Sequence, residues 1–367
     1  MADKERVLVL EARYDADLLE RRMREVLDTF PLDLEGRSVL VKPNVLGPWP
    51  GESGIITHPM FVKALTAVLK ERGARVQVGD NPGLRGYGRV GTVLKTTGLE
   101  EALGEDFINI TASPRRVPIR SRFVEETSIS TQILDCDILI SVPKFKTHVT
   151  TIITGAVKNS FGFLVGGEKA HMHAVAPRYR DFGELMVDIY QLRVPDLVIM
   201  DAVTVMEGNG PSCEDIRDVG KMLASYNGIA LDTVMAAMAG IDAAKIPTLV
   251  VAGERGLGPV RLEDIEVIGP LEKIPDFKAP ATLPRMSWTA PVQRLIFKLV
   301  SRSATLRVDP RICTACRTCE KSCPAEAIKV DKTPEFDAGK CINCYCCYEL
   351  CPEHAISLNR FIRLIQR

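Results

Sequence analysis

The feature that most constrains this chain is an internal repeat near its C-terminus, with an offset of 28 residues. CTACRTCEKSCPAEAI (313–328) aligns with CINCYCCYELCPEHAI (341–356), so Cys313, Cys316, Cys319 and Cys323 map onto Cys341, Cys344, Cys347 and Cys351. Pro324, Ala327 and Ile328 map in the same way onto Pro352, Ala355 and Ile356. Of the 11 cysteines in the 367 residues, nine lie between 313 and 351, and only Cys136 and Cys213 precede them. The start, MADKERVLVLEARYDADLLERR, has no signal-peptide core because charges interrupt it, so a cytoplasmic location is expected. In a reducing compartment such a cluster reads as metal ligation rather than a disulfide framework.

Each half of the repeat is C-x2-C-x2-C-x3-C-P. Three thiolates close in sequence can wrap one face of an iron–sulfur cube, but a short loop does not easily reach the fourth corner. The fourth cysteine of each half therefore serves the cluster of the other half. The expected ligand sets are Cys313, Cys316, Cys319 and Cys351 for one [4Fe–4S] cluster, and Cys341, Cys344, Cys347 and Cys323 for the other. Ala327, Ile328, Ala355 and Ile356 are expected to seal the clusters from water. The alternative, a zinc ribbon, uses paired C-x2-C knuckles and does not account for two complete runs ending in Cys-Pro. Cys346 falls outside the pattern and reads as an ordinary residue beside the loop. Over roughly residues 307–360 the segment resembles the bacterial-type two-[4Fe–4S] ferredoxins, which implies one-electron transfer at low potential.

The rest of the chain has a different texture. Apolar runs at 6–11, 38–44, 74–80, 136–143 and 196–202, the last three ending in Pro, Gly or Asp, alternate with helical patterns, among them Asp15–Thr29 and His58–Arg72. Strands apolar on both faces and separated by helices predict an α/β fold: a mostly parallel, doubly wound sheet with helices on both faces. The expected organisation is an α/β domain over 1–272, a proline-rich linker and amphipathic helix over 273–306, and a small α+β two-cluster ferredoxin domain over 307–367. Lys plus Arg and Asp plus Glu both number 47, a balance that argues against a nucleic-acid binder. PVQRLIFKLVSR sets Val292, Leu295, Ile296 and Leu299 opposite Arg294, Lys298 and Arg302. It reads first as a packed connector; the second reading is a membrane-surface helix over 291–303.

In an open parallel sheet, ligands bind in the crevice beyond the carboxyl ends of the strands. Polar residues stand at or just past the ends of four of the expected strands: Lys42 and Asn44, Asp80 and Asn81, Lys144 through His148, and Asp201 with MEGNGP and its Glu207. The segment after 147 adds Lys158, Asn159, a Gly166-Gly167 hinge, Lys169, His171 and His173. Lys42, Asn44, Asp80, Asn81, Lys144, Lys158, Lys169, Asp201 and Glu207 are thus the candidate substrate-binding residues, with the lysines suited to a phosphate or carboxylate. Lys146, His148 and His171 are the candidate catalytic residues, the histidines as proton donors. His171 and His173 share a face only if the segment is extended. His58 reads as a helix cap and Cys136 as a buried thiol in a strand. There is no G-x4-G-K-[ST] loop, and no G-x-G-x-x-G opens a helix after the first strand; GYGRVG (86–91) has the glycines but follows a turn and reads as a loop, so a tightly bound nucleotide is not supported.

VKPNVLGPWPGESGIITHP, VGDNPG, SVPKFKTH, GAVKNSFG and DAVTVMEGNGP resemble the family known as the domain of unknown function 362. The similarity extends over about residues 6–270. Members are often fused to this ferredoxin module, which implies a redox-linked α/β domain without naming a reaction. Three readings are compatible with these features. The first is an oxidoreductase in which the two clusters exchange electrons with a small anionic substrate or cofactor at the strand ends, whether or not a further cofactor is present. The second is a carrier whose α/β domain docks on a redox partner protein, and the third is an accessory protein that activates a partner metalloenzyme.

Overall fold

In a computed structural model the chain is described over residues 4–82, 89–148, 150–165, 168–176, 178–208, 210–211, 215–280, 306–321, 323, 325–341, 347, 351–353 and 355–357. The proline-rich stretch from 281, the helix expected over 292–302, the Gly166-Gly167 hinge, Cys213, Cys344 and Cys346 lie outside these residues.

The α/β part begins with β1 (Glu5–Glu11), α1 (Ala16–Thr29), β2 (Ser38–Pro43), α2 (Pro59–Glu71), β3 (Arg75–Val78), α3 (Val90–Thr97) and α4 (Leu99–Leu103). A ribbon of β4 (Pro114–Pro118) and β5 (Glu126–Ser130) leads to α5 (Thr131–Asp135), β6 (Ile138–Val142), β7 (Lys144–His148), β8 (Ile152–Ile153) and α6 (Gly155–Asn159). Then come α7 (Glu168–Val175), α8 (Tyr179–Tyr190), β9 (Leu197–Met206), β10 (Ile216–Ser225), α9 (Gly228–Met238), α10 (Pro247–Glu254) and β11 (Ile265–Ile268).

Nine strands form one sheet in the order β11-β1-β10-β9-β6-β2-β3, with β7 joined to β9 and β8 to β7. β2 runs parallel to β3 and β6, β6 and β7 run parallel to β9, and β1 runs parallel to β11. Long β10 lies antiparallel to both β9 and β1. The mostly parallel architecture is as the sequence predicts. β10 escapes a search for apolar runs because its first half, Ile216–Gly220, is not buried.

Alternation along β1 shows how the two faces are covered. Val7 and Val9 face a core built with Phe182, Leu185 and Ile189 of α8 and Val234 of α9. Leu8 and Leu10 face the opposite core, with Leu19 and Met23 of α1 and Phe61 and Leu65 of α2. Each such buried side chain stabilises by about 1.5–3 kcal/mol relative to exposure. The entry to α1 is set by Asp15, whose carboxylate accepts the Leu18 N–H at 2.9 Å. His58 caps α2 as expected, its Nδ1 accepting the Met60 N–H at 3.2 Å.

Three local expectations are corrected. Lys144–His148 is not a rim loop but strand β7, with all five residues buried. Asp201 does not end its strand: β9 runs on to Met206, because Lys144 at 2.9 Å neutralises the carboxylate inside the sheet. Cys136 lies outside any strand, as the half-buried cap of α5, where burial pushes its thiol up to about 11.

In the C-terminal segment, β12 (Arg307–Val308) pairs with β15 (Ile356–Ser357), and β13 (Ile328–Val330) pairs with β14 (Pro334–Phe336). Among the described residues, no helix is long and apolar enough to cross a membrane.

Candidate functional site

Beyond the carboxyl ends of β2 and β3 lies a cleft of about 200 Å³. Its wall includes Lys42 and Asn44 from the end of β2, Asp80 and Asn81 after β3, and His148 closing β7. Lys158 and Asn159 of α6, then Phe161 and Gly162, and Lys169 and His173 of α7 complete it. Six of the nine expected binding residues, and one of the three expected catalytic residues, thus meet in one place.

The cleft is held by a buried ion pair. Lys42 Nζ lies 2.6 Å from Asp80 Oδ1, the two side chains being 1% and 3% exposed. Nζ also donates to Asn159 Oδ1 at 3.0 Å and to Pro43 O at 2.9 Å. Asp80 in turn accepts the N–H groups of Val45 at 2.6 Å and Asn81 at 2.8 Å, tying the loops after β2 and β3 together. Asn159 is the other hub: its amide nitrogen donates to Ser141 Oγ at 2.9 Å, and its oxygen accepts from Asn44 Nδ2 at 3.2 Å. Gly162 is required here by close approach, since a Cβ would sit 2.4 Å from Asp80 Oδ1 and 2.5 Å from Lys42 Nζ.

The remaining polar groups face an unmet need. Among the described residues, Asn44 Oδ1 and Asn81 Oδ1 are buried acceptors with no partner, a cost of about 1–3 kcal/mol each unless a donor arrives. Lys169 Nζ donates to the carbonyl oxygens of Asn81 and Pro82. Among the described residues, the Lys158 ammonium has no carboxylate partner; it lies 5.5 Å over the Phe161 ring. Burial, and then the charges of Lys169 and Lys42, push its pKa down to about 7. His148 is held well below the usual imidazole range by burial and by Lys158. Its Nδ1 accepts the Thr150 N–H at 3.0 Å, so the neutral ring carries its proton on Nε2.

The other expected residues lie elsewhere. Lys144 bonds Asp201 Oδ2 at 2.9 Å and Tyr14 Oη at 2.7 Å, and the Tyr14 ring stacks on His58 at 3.8 Å. Lys146 is buried and donates to Ile55 O at 2.7 Å; burial lowers its pKa well below the usual range. Glu207 is clamped by Arg217 at 3.0 and 3.1 Å and accepts the Lys278 N–H. His171 and His173 stand on helix α7, so two residues of spacing turn them apart, and only His173 reaches the cleft, flat against Phe182 at 4.2 Å. Asn159, Phe161 and Gly162 join the wall without having been singled out as binding residues; their signal is the motif GAVKNSFG, which also supplies Lys158. Tyr14 had none.

In the C-terminal segment, Cys313, Cys316, Cys319 and Cys351 line one small cavity. Three come from the first half of the repeat and one from the second. Ala315 and Arg317 between them adopt left-handed φ of 52° and 59°; turns of this kind aim successive N–H groups at an anion. The repeat extends to hydrogen bonds: Cys323 Sγ accepts the Ala327 N–H at 3.2 Å, and Cys351 Sγ accepts the Ala355 N–H at 3.3 Å. Ala327, Ile328, Ala355 and Ile356 are all buried. An anionic iron–sulfur cube fits this donor set and these N–H groups.

Comparison with known proteins agrees with both halves. Residues 39–237 match the family model described as Domain of unknown function (DUF362), and residues 305–352 match that of a 4Fe-4S dicluster domain. The chain is 34% identical over 271 residues to the thylakoid-associated protein sll1697 of Synechocystis sp., covering 72% of this chain and 83% of that protein. Among solved structures it is similar to the lactate racemase apoprotein of Thermoanaerobacterium thermosaccharolyticum, at 12% identity and a TM-score of 0.38 over 62% of this chain and 55% of that one. The chain belongs to the DUF362 family and carries a 4Fe-4S dicluster domain with an iron–sulfur electron-transfer role at its C-terminus.

Proposed function

We propose that this protein is an iron–sulfur oxidoreductase whose α/β domain binds a small anionic substrate or cofactor in the Lys42–Lys158–Lys169 cleft. Two [4Fe–4S] clusters, one on Cys313, Cys316, Cys319 and Cys351 and one on Cys341, Cys344, Cys347 and Cys323, supply one-electron transfer. The observation that carries the reading is Lys158 on the cleft wall, which among the described residues has no carboxylate partner, while Asp80 on the same wall is already taken by Lys42. A bound phosphate or carboxylate satisfies Lys158, and a hydroxyl or N–H on the same molecule satisfies Asn44 Oδ1 and Asn81 Oδ1. Neutral His148, with its proton on Nε2, offers a hydrogen-bond donor at the same wall. A redox partner protein delivers or removes the electrons.

Native mass spectrometry on protein purified without oxygen is the test. The expected result is two clusters together with a small ligand, or with added phosphate, whose mass is lost in Lys158→Met and in Asn44→Asp. Retention of the ligand by both variants, or failure of the native chain to hold any small anion, refutes the cleft as the site. A carrier that uses the α/β domain only for docking keeps its electron-transfer rate in both variants, and that result favours the carrier reading.

A further inference from the structure

We infer that Lys158 is a nucleophilic amine that captures a carbonyl-bearing small anion as an imine. The inference rests on reading the cleft as the substrate site and names the chemical class that the site takes. Its basis is how differently the neighbouring lysines are engaged. Lys42 is matched by Asp80 at 2.6 Å, Lys144 by Asp201 at 2.9 Å, and Lys146 donates to Ile55 O outside the cleft. Lys169 is turned to the carbonyl oxygens of Asn81 and Pro82. Lys158 is on the cleft wall with an aromatic ring beneath it, cations as its electrostatic neighbours and, among the described residues, no carboxylate.

Desolvation and adjacent cations are what convert a lysine into a Schiff-base former, because both disfavour the ammonium. With its pKa near 7, about half of Lys158 is free amine at neutral pH. The amine lone pair attacks the carbonyl carbon to give a carbinolamine. Loss of water then forms the C=N bond, the carbonyl oxygen leaving with both amine hydrogens. Lys169 stands on the same wall, within reach of the anionic end of the molecule. Asn44 Oδ1 and Asn81 Oδ1 accept from its hydroxyl or N–H groups. A protonated imine also accepts electrons more readily than its parent carbonyl, which suits a chain that carries an electron-transfer domain.

The test uses the anaerobic holoprotein with glyoxylate and cyanoborohydride at about pH 7.5, where a lysine of ordinary pKa is almost wholly protonated. Propionaldehyde serves as the uncharged control, and peptide mass mapping locates the reduced adducts. Lys158 is expected to be modified roughly tenfold faster than surface lysines, with glyoxylate favoured over propionaldehyde relative to those lysines. Inorganic phosphate should slow the reaction, and Lys158→Arg should abolish the fast adduct while keeping the native circular dichroism. Modification of Lys158 no faster than that of surface lysines overturns the inference, and equal preference for the two aldehydes overturns the anionic class. Phosphate binding measured on the same sample separates the two readings. If phosphate binds while Lys158 stays unreactive, only the imine fails; if phosphate neither binds nor protects, the anion site fails with it.

Discussion

Replacing Lys42 by Met keeps the length of the side chain and removes its charge, leaving Asp80 buried beside a thioether. The ion pair it breaks is 2.6 Å long with both side chains at most 3% exposed. At an effective dielectric of ~20, a pair this close attracts by about 6 kcal/mol. Much of that only offsets desolvation, but stripping one partner leaves the other uncompensated at a cost of about 3–5 kcal/mol. Asn159 Oδ1 and Pro43 O also lose their Nζ donor. For a domain of this size the loss corresponds to a fall in Tm of roughly 6–20 °C. Scanning calorimetry on the anaerobic holoprotein measures it, with the visible absorbance of the clusters reporting the C-terminal segment separately. The double variant Lys42→Met/Asp80→Asn has no orphaned charge and should recover at least half of the loss. A single variant within about 2 °C of the native protein, or a double variant no more stable than the single, would refute the view that this pair holds the cleft together.

Three further outcomes are expected. Because Cys351 is expected to serve the cluster of the first half, the double variant Cys316→Ser/Cys351→Ser should damage one cluster and keep about four irons per chain; iron analysis showing both clusters lost would mean that each half ligates its own. Lys158 has a depressed pKa, near 7, in the folded protein, so its contribution to stability is fully present above the ordinary lysine value and is lost as pH falls through about 7. An anion reverses that preference by favouring the ammonium, so phosphate binding at about pH 8 should take up close to one proton, read as a buffer-dependent heat in titration calorimetry; no buffer dependence would count against Lys158 as the anion contact. Gly155→Ala should destabilise the turn that presents Lys158, since the position has a left-handed φ of 54° and its Cβ would meet Asp232 Oδ1 at 2.3 Å. Asp232 there accepts the N–H groups of Ala156 at 2.6 Å and Val157 at 3.1 Å, so an overpacking loss of about 1–3 kcal/mol should appear in thermal melts together with weaker phosphate binding.

Much of the cleft was legible before the fold. Lys42, Asn44, Asp80 and Asn81 stand at the ends of expected parallel strands, and the ends of such strands share a rim whatever their order. Lys158 and Lys169 were legible as a lysine-rich segment downstream of one of those strands. The errors have a common cause. Lys144, Lys146 and His171 were placed by proximity in sequence, but where a side chain points depends on whether its segment is strand or helix. Asp201 and Glu207 looked available because their partners, Lys144 and Arg217, are apart from them in sequence.

By itself the sequence determined what depends on local spacing: the cysteine runs that an iron–sulfur cube demands, and the two-faced apolar strands that demand helices on both sides. Tertiary structure alone decided that β10 enters the sheet antiparallel, that Asp80 and Asp201 are each consumed by a lysine, and that Lys158 among the described lysines of the cleft faces it without a carboxylate. Charge pairing requires atoms within about 3 Å of each other, and which residues come that close is set by the packing of whole elements rather than by any spacing along the chain.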